Sequence, residues 1–408
     1  MNMFDYNIVA QGLLRLTNWF SRFGVWDCGM ASSMEASFEE SYEIRALLHT
    51  ERVLKLGHAQ DVAHSFCNLM LSLQGVHYPD MYDMGYGYDL DANGMVNCSC
   101  VADCCSVARA IIDTINAYPD YPKNREYIGS IKAFVDHTLN NYVTDKGVIG
   151  VGILGHQINP MKEYWCANSL FSQVLISFAG IAGESKYYEA AEAPMEFLAA
   201  FDYRNTDWAE WKTSPAEMIL YTGEGVVEGL LSDEMRSRLA VPPRGVIAYT
   251  KAIQREDHVP SQAANRVKSD VEAARDSNGA GETALDLLRA RWEAFADWLY
   301  KNQSPNGLWA SPATQGARCY ETGLSWLINR GFSIGNTEAL LENAVKRQLA
   351  YLNSQEAKLY FGLYCNPFAT ALAHLSFASI AEKLMENDRP GFSKAVDEAR
   401  ADANMTVW

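Results

Sequence analysis

Runs of about fifteen to twenty residues with apolar positions every three or four alternate along the chain with runs that are apolar nearly all round. The amphipathic runs are residues 4–23, 56–74, 125–142, 185–201, 283–302 and 336–353. In the third, Ile131, Phe134, Val135 and Leu139 keep helical spacing while Lys132, Asp136 and Asn140 take the other faces. The all-round apolar runs are residues 31–53, 98–117, 166–183, 216–231, 318–331 and 368–384, rich in small residues and poor in charge. Helices without a polar face belong inside. Strict alternation of six outer and six inner helices predicts an all-α fold of six helical hairpins closed into a ring. Strand signal is confined to short pieces such as residues 147–154.

Glycine marks the hairpin turns, as in DKGVIG (145–150), QSPNGLW (303–309) and RFGVWDCG (22–29). Gly followed by an apolar residue after a polar turn stops a helix and starts a short extended piece. Every hairpin returns to the same end of the ring, so the outer-to-inner loops share one face. These are residues 24–30, 75–97, 144–165, 202–215, 303–317 and 354–365. They hold Trp26, Tyr78, Tyr82, Tyr86, Tyr88, Trp165, Trp208, Trp211, Trp309 and Tyr364. The inner helices also present their N-termini there, a favourable place for negative charge. Residues 75–105 interleave the tyrosines with Asp80, Asp83, Asp89 and Asp91. Flat rings beside carboxylates suit a sugar, through stacking, hydrogen bonding and proton transfer.

All 408 residues are read as a single domain, interrupted by a polar insertion at 255–281 whose plain reading is a solvated helix and loop. A net charge of −16 argues against nucleic-acid backbones and anionic membranes as partners. No uninterrupted apolar run reaches membrane-spanning length. The opening MNMFDYNIVAQGLLRL lacks the pattern of a signal peptide. Nine cysteines, an odd number, point to reduced thiols, so the expected location is the cytoplasm, with secretion open if a leader has been removed. The oligomeric state, homo-oligomer included, is left open.

The ring of hairpins, with NGLW (306–309) followed by CYETG (319–323), resembles the (α/α)6 toroid of carbohydrate-active enzymes over nearly the whole chain. Within that superfamily it is most similar to the uronide-processing branch, the unsaturated glucuronyl hydrolases and related β-glucuronidases. The resemblance implies carboxylates on the second and third hairpins. The matching places hold Asp83, Asp89, Asp91 and Asp103, then Glu163 with His156.

Glycoside hydrolysis needs two carboxyl groups flanking the scissile bond, one of them still protonated. The candidates are Glu224, Glu321, Asp103, Glu163 and Asp83, with Glu224 and Glu321 preferred as pocket residues because buried carboxylates in apolar helices are costly unless paired. Each has a competing structural role as a cap or ion-pair partner. Tyr82, Tyr86, Tyr88, Asp89, His156, Trp165, Asn168, Trp309 and Trp26 are candidate substrate contacts. Arg318, with Lys162 and Arg22 behind it, is placed to hold a substrate carboxylate through its planar fork, or else to pair with Glu321.

No cofactor is expected. DLDANG (89–94) copies half of a calcium loop through Asp89, Asp91 and Asn93, but Cys100 stands where the bidentate Glu belongs, and the same letters describe an Asx-rich turn. Cys98, Cys100, Cys104 and Cys105 lack a zinc spacing, and Cys166, Cys319 and Cys365 recur at corresponding places as small residues of a crowded inner ring. The expected function is hydrolysis of glucuronic-acid-containing glycosides or oligosaccharides. The alternatives are a polysaccharide lyase using Tyr and His156, a sugar epimerase, and a non-catalytic glycan-binding toroid.

Overall fold

The computed structural model describes residues 5–23, 37–83, 89–91, 94–96, 99–150, 152, 161, 163–201, 215–241, 283–309, 320–335, 337–360 and 367–402. Five outer-to-inner pairs follow the alternation closely: α1 (Tyr6–Phe23) with α2 (Ser37–Leu54), α3 (Ala59–Leu73) with α4 (Val101–Ala117), α5 (Asn124–Asn141) with α6 (Trp165–Ala182), α7 (Lys186–Ala200) with α8 (Pro215–Leu231), and, beyond the short α9 (Asp233–Leu239), α10 (Ala284–Asn302) with α11 (Leu324–Gly331). The sixth pairs α12 (Glu338–Leu352), followed by α13 (Gln355–Tyr360), with α14 (Pro367–Asn387), and α15 (Arg389–Ala401) follows.

The inner helices touch in the order α2, α4, α6, α8, α11, α14 and back to α2, which closes the ring. The outer helices pack against them, α1 on α14, α7 on α6 and α10 on α8. The architecture is an all-α toroid of six hairpins. Helix α6 is the clearest case of an inner helix, with fourteen of its residues buried from Trp165 to Ala179. By length and composition alone it would also pass as a membrane span; its burial inside the ring accounts for that hydrophobicity. It stops at Gly183, whose φ of +67° is the left-handed cap that glycine adopts without steric cost.

Local sequence sets the other ends. Thr283 and Asp286 form a reciprocal capping box that starts α10. The closure between first and last inner helices is tied by a buried pair, Glu43 on α2 with His374 Nδ1 on α14 at 3.0 Å. Nε2 of His374 meets Thr17 Oγ1 at 3.2 Å and Thr50 Oγ1 at 3.0 Å, and Phe20 stacks on the ring.

Three details depart from the sequence reading. The fifth inner element is not one helix over 318–331: Tyr320–Gly323 is a tight 3₁₀ turn leading into the eight-residue α11. Glycine lets both ends of α11 pack closely: a Cβ on Gly331 would lie 2.2 Å from Trp292 and one on Gly323 would lie 3.0 Å from Leu372. A thirteenth long helix, α15, packs on α1 and α14 outside the six pairs. Within 89–96, β1 (Asp89–Asp91) runs antiparallel to β2 (Gly94–Val96), with Asp91 opposite Gly94. The piece expected to be strand-like at 147–154 makes isolated bridges, Val143 with Ile149 and Gly150 with Glu163.

Candidate functional site

Helix starts leave backbone N–H groups without partners and attract carboxylates. That rule fills the mouth of the ring with acids. Glu39 and Glu40 stand in the first turn of α2, Asp103 in that of α4, Glu217 in that of α8, and Glu321 in the 3₁₀ turn before α11. Glu163 lies two residues before α6, its backbone bridged to Gly150.

Glu321 differs from an ordinary surface acid. It is 4% exposed. Burial pushes its carboxyl group up to about 7, against a smaller lowering by its own backbone N–H, and the charge of Glu217 raises it further. The 3₁₀ turn packs against α8, which carries Glu217. A carboxylic acid that keeps its proton near neutral pH is equipped to protonate a leaving group.

One helical turn deeper lies an aromatic layer. Tyr221 and Tyr320 meet edge to face at 5.1 Å, Tyr320 and Phe368 at 5.2 Å, and Phe368 and Tyr42 at 5.7 Å. Tyr42 in turn meets Trp326 at 6.3 Å. Burial pushes the hydroxyls of Tyr42, Tyr164 and Tyr221 well above the usual tyrosine range, so they remain protonated donors.

Below the rings is an ionic layer. Arg45 of α2 reaches Glu224 of α8 at 3.2 Å and Asp113 of α4 at 3.3 Å. Glu224 also accepts from Tyr42 Oη at 2.7 Å and Gln173 Nε2 at 3.2 Å. Arg109 meets Asp113 at 3.0 Å and Glu228 at 3.1 Å, and Glu228 accepts from Ser177 at 3.0 Å and from Arg330. Three guanidiniums face three carboxylates, so the layer is neutral. Despite burial, Arg109 and Arg330 hold the Glu228 carboxyl down to about 2.

This geometry reassigns several expected site residues. Glu224 is the centre of the ionic layer, wholly buried and bonded by Arg45, Tyr42 and Gln173, and acts there as a ring bolt. Tyr82 is wholly buried, its hydroxyl 2.9 Å from Ser130 Oγ, so it has no face for a sugar. Trp165 and Trp309 are core residues at 3% and 5% exposure, and Trp309 Nε1 donates to Leu299 O at 2.7 Å. Asn168 clamps Ile149, accepting from its N–H at 2.9 Å and donating to its carbonyl at 2.8 Å. Asp83 is buried and paired with His77 Nδ1. Asp103 and Glu163 are half-buried at the mouth. Asp89 lies in β1. Trp26, Tyr86, Tyr88, Asn93, His156, Lys162 and Arg318 lie outside the described residues, which among themselves contain no group of three or more His, Cys, Asp or Glu placed to hold a metal.

Glu217 and the ionic layer were missed from the sequence, although spacing carries a signal for both. Glu217, Tyr221, Glu224 and Glu228 recur at steps of three and four on α8, as do Tyr42, Arg45, His49 and Arg52 on α2. A polar stripe on a helix that is otherwise apolar all round marks the face toward the ring axis.

No family model matches the chain, and no curated protein matches it. Among solved structures, it is similar to the crystal structure of a possible member of the GH105 family from Salmonella enterica serovar Paratyphi A, at 10% sequence identity and a TM-score of 0.48, over 85% of this chain and 83% of that one.

Proposed function

We propose that the protein is a glycoside hydrolase in which Glu321 is the general acid. The observation that carries this reading is the buried carboxyl of Glu321, raised to about 7 at the mouth of a closed helical ring. Protonating a glycosidic oxygen at neutral pH requires a group that holds its proton there and gives it up in the transition state. The candidates for the second carboxyl group are Asp103 on α4, Glu163 before α6 and Glu217 on α8, of which α8 adjoins the turn that carries Glu321. That group activates water, or attacks the sugar, according to its separation from Glu321.

The substrate class follows the sequence resemblance: a glucuronic-acid-containing glycoside or oligosaccharide, with Arg318 holding the uronate. Arg318 is two residues from Tyr320 and so is carried by the same chain segment as Glu321. Release of nitrophenol from aryl glycosides, β-glucuronide included, tests the proposal. Glu321→Gln should abolish release while circular dichroism and the unfolding midpoint report an intact fold. Full turnover by Glu321→Gln would overturn the assignment. Cleavage of a neutral glycoside in preference to the glucuronide would keep the acid and remove the uronate. New ultraviolet absorbance from an unsaturated uronate end would make the protein a lyase instead.

A further inference from the structure

His64 sits on α3, covered by the turn between α4 and α5. Its side chain is 3% exposed. The ring of Tyr121 lies flat against it, 3.4 Å between centroids and 10° between planes, with Tyr127 at 5.9 Å and Tyr118 at 5.4 Å. Neither ring nitrogen has a hydrogen-bond partner. A buried imidazole normally places its N–H on an acceptor. This one is held by stacking alone.

The charged and titratable groups around the stack come from every element packed there. On α3 itself Asp61 lies one turn before His64 and Cys67 one turn after. From the end of α2, Glu51 and Arg52 face Tyr118. From the covering turn, Lys123 Nζ donates to Asn68 Oδ1 at 3.1 Å. From α5, Glu126 acts on Tyr127, whose hydroxyl donates to Asn68 Oδ1 at 3.3 Å. Asp61 and the tyrosine faces favour an imidazolium. Burial outweighs them and pushes His64 down to about 4.

We propose that His64 is an acid-sensitive latch: when its imidazole takes up a proton the ring leaves the tyrosine stack, the α4–α5 turn is released, and the second hairpin of the toroid loosens. That hairpin carries the segment leading to Asp103, so the latch sets the pH below which this wall of the mouth loses its support. The inference concerns the fold of the hairpin and stands whether or not the mouth cleaves a glycoside.

The unfolded or opened chain binds the proton before the packed one does. Stability is therefore intact above the ordinary histidine value of 6.5 and falls as the pH drops toward 4. At pH 5 this one group lowers the closed-to-open equilibrium about thirtyfold relative to a non-titrating ring.

Two measurements on the full chain test it. The C2–H resonance of His64 should titrate near 4, while the protection of amides in the α4–α5 turn, taken after correction for the intrinsic pH dependence of exchange, falls between pH 6.5 and 4.5 ahead of the opposite side of the ring. In His64→Phe, which keeps a flat ring in the stack without a titrating nitrogen, that loss of protection should disappear. A His64 midpoint near 6.5, or protection in the turn that does not change with pH, would overturn the latch. If His64→Phe does not fold, the resonance and exchange of the natural chain decide alone.

Discussion

Arg45 on α2 and Glu224 on α8 meet at 3.2 Å although their helices stand first and fourth in a ring of six. The pair spans the axis. It is dry on both sides, with the Arg45 side chain 4% exposed and that of Glu224 wholly buried. Trp326 covers the guanidinium at 4.7 Å. Removing one partner of such a pair strands the other charge, at a cost of about 3–5 kcal/mol. Arg45→Met should therefore lower the urea midpoint strongly, and Arg45→Met with Glu224→Leu should cost much less than the two single changes added together. A double mutant no better than the sum would show that the two side chains do not act as a unit. Loss of activity in Glu224→Gln is then expected as a consequence of weakened ring closure, accompanied by a lower unfolding midpoint.

Close approach of α6 and α8 makes a second, local prediction. Ser169 donates to the carbonyls of Tyr221 and Thr222 at 2.7 and 2.9 Å and accepts from Gly225 N–H at 2.9 Å. A Cβ on Gly225 would lie 2.5 Å from both the carbonyl and hydroxyl oxygens of Ser169. Backbone stands in the way, so the clash is not relieved by a rotamer change. Gly225→Ala should destabilise by about 1–3 kcal/mol, the usual range for overpacking a filled core. Ser169→Ala, Gly225→Ala together should recover little, because the carbonyl remains. Thermal unfolding of the two variants beside the natural protein reads this directly.

The ring was legible because each helix type carries its own pattern: stripes outside, apolar all round inside. Boundaries such as Trp165–Ala182 and Pro215–Leu231 fell within a residue or two of the expected ones. The layering across the axis was not legible. It depends on which residues of six separate helices share a height, and Glu224 and Glu321 look alike in sequence. Their environments separate them. Glu224 has Arg45, Tyr42 and Gln173 around it, while among the described residues the charge acting on Glu321 is that of a second acid, Glu217. Trp165, Trp309 and Tyr82 were misplaced for a related reason, since an aromatic beside a loop is equally suited to plugging the top of the core.

The cysteines give a chemical test of that crowding. Cys104 has Ser99 Oγ at 3.3 Å and the Tyr82 carbonyl at 3.6 Å, and burial pushes its thiol up to about 12. Burial raises Cys105 and Cys166 as well. Thiolate is the reactive form, so these groups are nearly inert at neutral pH. Iodoacetamide at pH 8 should leave Cys104, Cys105 and Cys166 unmodified in the folded protein and label them after urea, as peptide mass mapping would show. Rapid native labelling of Cys104 would mean that the top of α4 is open to solvent.

Glu321 links the proposed reaction to stability through a single proton. Its carboxyl group is raised to about 7 from an ordinary 4.5, so the folded chain binds that proton more tightly than the unfolded one. The stabilising contribution is complete below about 4.5 and is lost as the pH rises through 7, reaching about 3 kcal/mol at pH 8. Glu321→Gln has no ionised form to bury. It should match the natural protein at pH 4.5 and exceed it in unfolding midpoint at pH 8, while hydrolysis is abolished at both. On the proposed reading, the natural protein should lose kcat on an alkaline limb centred near 7. Glu217→Gln removes the neighbouring negative charge and should lower the pH at which the Glu321 carboxyl begins to destabilise the fold, read from the unfolding midpoint. Comparison of the two variants across the same pH series also cancels the contribution of His64, which lies in a different hairpin. A Glu321→Gln variant with a lower midpoint than the natural protein at pH 8 would mean that the carboxylate is paired there, and would remove it as the acid.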